Sequence, residues 1–500
     1  MIRRGFPESL ATEEVIISNA DRESWVEKNE KRFKEGAVKA RAKRVVAVLI
    51  LLLLATAFVS AAGKQEPTKA AIPGDWGKIN WQQFKGTTIN VLNLNMPVAT
   101  VYSEYIKDFE ALTGMKVNVD LLNENDRRKK AFIDFSSHMG TYDVQSVGFA
   151  NREEWAVPGY LEDIGPYLKN PKLTDADWYD FKDYPKDVIA SGYAKSGPLV
   201  YLPYTAEYFL LWYRKDLFKQ LNLSIPKNFD ELRQTAIKLT DARKAGTIKE
   251  YAWTERQLPG PGEAGWSLFC TANRFDFDFI DFDKKISYVN TPKGREVLAY
   301  YTSMCMDYGP PGSANWGWPM MAESFKQEKV AMITGGNASY TYLEDATQSK
   351  VVGRVGYAPT PFAPCGKDPL WVWGWGINKD SKKKEAAWLF VQWATSKPLM
   401  NQMAPKYGCP ARVSVYSSPD YVKAMPSQEF IDAQLFMMTK GINPYPQLIH
   451  EKYAEGAEIV SKEMSNILAG LKTVDQAAAD ADKQLTALGY TSGEWTKQCK

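Results

Sequence analysis

A strand, a helix and a second strand follow one another where the globular part of the chain begins, and this order restricts the fold more than any other feature. TTINVLNLN (87–95) is rich in β-formers. TVYSEYIKDFEALTG (100–114) places Tyr102, Tyr105, Ile106, Phe109 and Leu112 at helical spacing, with Gly114 as the stop. MKVNVDLL (115–122) then alternates Val117, Val119 and Leu121 as a strand does. Such a βαβ unit implies a parallel strand pair joined by a right-handed crossover, so the chain is predicted to be α/β. YDVQSVG (142–148) reads as the next strand. With 500 residues, one hydrophobic core does not suffice, and two or more lobes are expected.

Further along, LLWYRKDLFKQLNLSIPKNFDEL (210–232) runs from an aromatic strand into a charged helix. It breaks at Pro226 and starts a second helix capped by Asn228, with Glu231 three residues on. FDFDFIDFDKK (275–285) alternates Phe and acid and reads as a strand or turn with one wet face. It lacks the glycine that a calcium loop needs for its tight turn. The C-terminal region from 453 is Ala-rich and helical in pattern.

VVAVLILLLLATAFVSAA (45–62) carries no charge and follows Lys39, Arg41, Lys43 and Arg44. A basic flank before an apolar run is an export signal or a membrane anchor. Residues 1–44 form a polar N-terminal tail and 63–85 a linker containing KQEPTKAAIPGDWGK. The tail holds 11 basic and 8 acidic residues, which accounts for the whole net charge of +3. The body is therefore neutral, which argues against nucleic acid as the main partner. Two His residues and five Cys residues without a CxxC argue against a zinc site.

Four blocks, in order, carry a resemblance: LVYLPYTAEYFLLWYRKDLFKQLNLSIPKNFDEL (199–232), FKQEKVAMITGGNASY (325–340), WGINKDSKKKEAAWLFVQWATS (375–396) and PYPQLIHEKYAEGAEIVSKEMSNILAG (444–470). Together they resemble the sugar-binding family of bacterial extracellular solute-binding proteins, typified by maltose-binding protein. The resemblance spans about 87–489 and implies a two-lobe periplasmic-binding-protein fold with a ligand cleft between the lobes. It implies lobe 1 at 86–205 and 330–417, and lobe 2 at 206–329 and 418–500. It further implies a binding protein without cofactor or metal, not an enzyme, which delivers a sugar or sugar alcohol to ABC transporter permease subunits. Its place would be periplasmic or extracytoplasmic, with membrane contact through 45–62 if that run is uncleaved. The same division puts Cys270 with Cys305 and Cys365 with Cys409; these pairs are preferred if disulfides form, leaving Cys499 unpaired.

The resemblance also places an acid, Glu207, on the cleft floor at the first lobe crossing, where its carboxylate accepts hydrogen bonds from ligand hydroxyls. The alternative is that Glu207 pairs with Arg214 and only shapes the hinge. In WVWGWG, Trp371, Trp373 and Trp375 point to one side of an ideal strand. Trp375, taken as nearest the crossing, is the first stacking candidate and Trp373 the second; a tryptophan-rich core is the alternative. Gly336 and Asn337 would present backbone N–H groups to ligand, or Asn337 would simply cap its own helix. Tyr204, Trp318 and Arg412 are further candidates, with Trp253, Ser146 and Asn151 behind them. The stacking set departs from maltose-binding protein: Ala338 and Ser339 follow the glycine turn and Lys452 stands in the last block. A monosaccharide or polyol is therefore favoured over a maltodextrin. An exported glycoside hydrolase, a polyamine, peptide or metal-ion receptor of the same fold and a tethered sensory protein are the competing readings.

Overall fold

The computed structural model describes residues 75–496, apart from 441, 444–447, 449 and 451. They lie within one unit, Ala71–Lys500. The tail, the apolar run 45–62 and Cys499 fall outside the described residues. Among the described residues no helix is long and apolar enough to cross a membrane.

Nine strands form two main sheets. They are β1 (Thr88–Leu94), β2 (Lys116–Leu122), β3 (Val144–Gly148), β4 (Leu202–Glu207), β5 (Phe209–Arg214), β6 (Tyr251–Trp253), β7 (Val330–Gly336), β8 (Val355–Pro359) and β9 (Trp371–Ile377). The first sheet has the order β2-β1-β3-β9-β4 and the second β8-β5-β7-β6. β1 pairs in parallel with β2, from Thr88 opposite Lys116 to Leu94 opposite Leu122, and in parallel with β3. The βαβ unit is thus present. Its connection is two helices, Pro97–Ser103 and Ile106–Thr113, rather than the single predicted one. Pro97 at the first helical position starts the first of them early, and Gly114 ends the second in the left-handed region at φ 67°.

β9 runs antiparallel to both β3 and β4, so the first sheet closes with a strand that returns from far along the chain. Behind it, Lys384–Ala394 buries Trp388, Phe390 and Trp393. In the second sheet β5 is flanked by antiparallel β8 and β7, and β6 joins β7 in parallel. Asn228 caps Phe229–Lys244 as the sequence predicts: its side chain accepts from the Glu231 N–H. The Phe–acid alternation also holds, with Phe275, Phe277, Phe279 and Phe282 buried and Asp276 and Asp278 partly exposed.

The sheets divide the chain differently from the expected lobes. β7 and β8 (330–359) pair with β5 in the second sheet, not with the first. The return to the first sheet comes only at Trp371, which pairs with Glu207. The chain first passes between sheets from Glu207 to Phe209 and passes back from Pro369 to Trp371. A third passage lies between Pro419–Ala424 and Gln428–Lys440, the latter packing on β8.

The expected disulfides are also corrected. Cys270, Cys305 and Cys409 are free and buried, and Cys365 is disulfide-bonded. Neither preferred pair exists. Burial pushes all three free thiols up in pKa, as an apolar interior penalises thiolate.

Candidate ligand site at the sheet crossing

The polypeptide between β4 and β5 is held by one side chain. Asn337 accepts from the Tyr208 N–H at 3.1 Å and the Ala338 N–H at 3.0 Å. Its Nδ2 donates to Ala206 O at 3.2 Å and to Gln434 Oε1 at 2.6 Å. Asn337 is fully buried and its capacity is spent on the crossing. Its side chain clips the backbone at the crossing, and its own N–H, which the sequence suggested would face ligand, donates to Tyr208 O at 2.9 Å. Gly336 differs: it sits opposite Phe209, and a Cβ there would meet no atom within 4 Å. Open space therefore borders the start of β5.

Glu207 ends β4 and is partly buried. Among the described residues its carboxylate makes no hydrogen bond or ion pair, and burial alone acts on it. Desolvation raises its carboxyl to about 7. The alternative partner is taken, since Arg214 pairs with Asp216 at 2.6 Å, Glu328 at 3.3 Å and Glu250 at 3.4 Å.

The three tryptophans of β9 occupy three different environments. Trp375 is in the core, with ring centroids 5.2 Å from Tyr204, 5.5 Å from Tyr102 and 5.6 Å from Phe390. Trp373 lies over Gly148, with the Arg127 guanidinium 5.4 Å from its ring centre. Trp371 is partly exposed, 4.4 Å from Phe149 and 4.6 Å from Trp266. Because β9 is antiparallel to β4, its first residue reaches the crossing and its later residues recede into the sheet. Trp371, not Trp375, is therefore nearest Glu207. The glycines of WVWGWG have the same packing logic: a Cβ on Gly374 would come within 2.2 Å of the Tyr201 ring.

Other sequence candidates serve packing. Tyr204 is fully buried between Tyr102 and Trp375. Arg412 is buried, donates to Thr395 O at 2.8 Å and Asp180 O at 2.9 Å, and stacks on Tyr184 at 4.3 Å. Ser146 and Asn151 are occupied by the Leu94 N–H and by Arg127. Trp253 lies in the core of the second sheet. Trp318 is partly buried; its N–H donates to Glu263 at 2.7 Å and the Arg256 guanidinium lies 5.1 Å from its ring centre.

Sequence reasoning passed over the aromatic set that joins the sheets. Trp266, on Ala264–Arg274, reaches Trp371 and lies 6.2 Å from Phe209, while Arg274 lies 5.8 Å from the Phe209 ring centre. Arg274 is fixed by Asp368 at 2.9 Å, and Asp368 also accepts from Thr360 at 2.8 Å. Nearby, Glu255 accepts from Ser267 at 3.1 Å and from Thr334. Burial raises both carboxyls, Asp368 and Glu255, above the usual range, against the pull of Arg274. The crossing thus gathers an unpartnered carboxylate, aromatic faces from both sheets and a braced cation. That set suits a neutral polyhydroxylated ligand, with hydroxyls on the carboxylate and C–H faces on the rings.

Three comparisons with known proteins place the chain among its relatives. The family described as bacterial extracellular solute-binding protein matches residues 96–400. An erythritol/L-threitol-binding protein of Mycolicibacterium smegmatis is 29% identical over 359 residues, 68% of this chain and 74% of that protein. A mannitol-binding protein of Pseudomonas aeruginosa is 27% identical over 392 residues, 74% of this chain and 86% of its own. A solute-binding protein of an ABC transporter from Agrobacterium radiobacter, crystallised with ribitol, superposes with a TM-score of 0.68 at 26% identity, covering 82% of this chain and all of the other.

Proposed function

We propose that this chain, which belongs to the family of bacterial extracellular solute-binding proteins, captures a short sugar alcohol or monosaccharide between two lobes and delivers it to the permease of an ABC importer. The fold is the two-lobe α/β fold of its relatives. We assign lobe 1 to 86–207 and 371–424, and lobe 2 to 208–369 and 428–496, following the two sheets. The work is done outside the cytoplasm, after export directed by 45–62 or tethered by it.

One observation carries the ligand class: Glu207 and Trp371 stand opposite each other on paired strands at the crossing. An ionised carboxylate takes two adjacent hydroxyl donors, and an aromatic ring covers the carbon chain between them. Relatives named for erythritol, L-threitol and mannitol support an acyclic polyol over a maltodextrin. The aromatic set at the crossing is small, which favours a ligand of few carbons.

A thermal-shift panel of ribitol, D-mannitol, erythritol, maltose and spermidine tests this. Ligand at about 100 times its Kd stabilises the native state by roughly 2.7 kcal/mol. The expected result is a shift with at least one polyol. A shift with spermidine alone would replace the substrate class.

A further inference from the structure

We propose that Lys195, Asp283 and His450 form a latch between the two lobes that holds the closed state and slows release of bound solute; this rests on the solute-capturing reading above. Lys195 sits on the turn between Tyr193 and Leu199, which bridge each other in the first half of the molecule. Its backbone N–H donates to Glu153 at 3.1 Å, and Glu153 is paired with buried Arg152 at 2.8 Å. Asp283 sits on the turn between Ile280–Asp281 and Ile286–Ser287, which pair in a small sheet completed by Thr491–Ser492. That sheet belongs to the second half, where a Cβ on Gly456 of Tyr453–Leu468 would meet Ile280 and Phe282.

The two turns meet through side chains. Lys195 Nζ lies 3.2 Å from Asp283 Oδ2 and 3.4 Å from Oδ1. His450 Nε2 lies 3.3 Å from Asp283 Oδ1. The Lys452 N–H donates to His450 Nδ1 at 3.0 Å, so the neutral ring carries its proton on Nε2, facing Asp283. The ring is held flat against Phe282, with centroids 5.1 Å apart and planes 17° from parallel. Burial alone would raise the Asp283 carboxyl, but Lys195 and His450 outweigh it and hold it below its usual value.

The pair is exposed, with 48% of the Lys195 and 70% of the Asp283 side chain accessible. Such pairs are weak, which suits a latch that must open in every transport cycle. Closure couples to affinity because a ligand that binds the closed state is retained in proportion to its population.

Lys195→Glu sets two carboxylates face to face. Small-angle scattering of the ligand-free variant at low salt should give a larger radius of gyration than the wild type. The swapped pair Lys195→Glu with Asp283→Lys should return it. Titrated with ribitol, the single variant should bind about 3- to 5-fold more weakly than wild type, with the swap within 2-fold of wild type. An identical radius in wild type, single variant and swap overturns the latch. If ribitol, D-mannitol and erythritol all fail to bind the wild type, the proposed function falls instead, and the scattering series alone decides the latch.

Discussion

Glu207 is the residue placed most at odds with its own chemistry. A carboxylate partly buried without a partner costs free energy, and desolvation answers by raising its pKa to about 7 from 4.5. The folded protein therefore keeps this proton to higher pH than the unfolded chain does. The stabilisation from the neutral acid is full below about pH 4.5 and is lost as pH rises through about 7. Glu207→Gln removes that loss. Melts should show the two proteins nearly equal at pH 4.5, with the variant more stable at pH 8 by on the order of 2 kcal/mol. A constant difference across that range would contradict the buried-acid account. The position of this acid was legible in the YTAEYF block. The roles of Asn337 and Arg412 were not, because their partners come from residues such as Gln434 and Asp180, far away in sequence. Nothing local separates a buried polar clip from a ligand contact.

At the scale of the element, the direction of β9 decides which tryptophan reaches the sheet crossing. Alternation in WVWGWG correctly marked a strand. Its direction could not be read from the strand itself, since parallel and antiparallel returns share the same local pattern. Pairing of Trp371 with Glu207 reverses the expected order and sends Trp375 into the core. The two positions should therefore respond oppositely to truncation. Trp375→Ala should destabilise the fold by about 3–5 kcal/mol while folded molecules keep their ligand affinity. Trp371→Ala should cost less stability and weaken polyol binding by about 1–2 kcal/mol, roughly 5- to 30-fold. Unfolding midpoints and titrations of both variants check this, and a loss of affinity confined to Trp375→Ala would restore the original order. The Phe–acid run 275–285 was legible for the converse reason: its burial follows the period of the chain itself.

For the whole molecule, the α/β class and the first βαβ unit followed from nearby residues, and the two-lobe fold from a resemblance spread over four blocks. The assignment of 330–359 did not follow, because β7 and β8 find their partner β5 more than a hundred residues earlier in the chain. Interleaved this way, each sheet is built from distant segments, and the first two passages between sheets meet where Trp371 pairs with Glu207. Glu207, Phe209 and Trp371 sit at the first two of those passages, so under the proposed function a ligand held there would touch both lobes at once and draw them closed. Calorimetric titration of ribitol into the wild type and into Glu207→Gln at pH 8 tests this most directly. Saturable binding by the wild type, weakened by about 1.5–3 kcal/mol or roughly 10- to 150-fold in the variant, is the result predicted from loss of a charged hydrogen bond at the crossing. Equal affinity in the two proteins would place the ligand elsewhere and contradict the account.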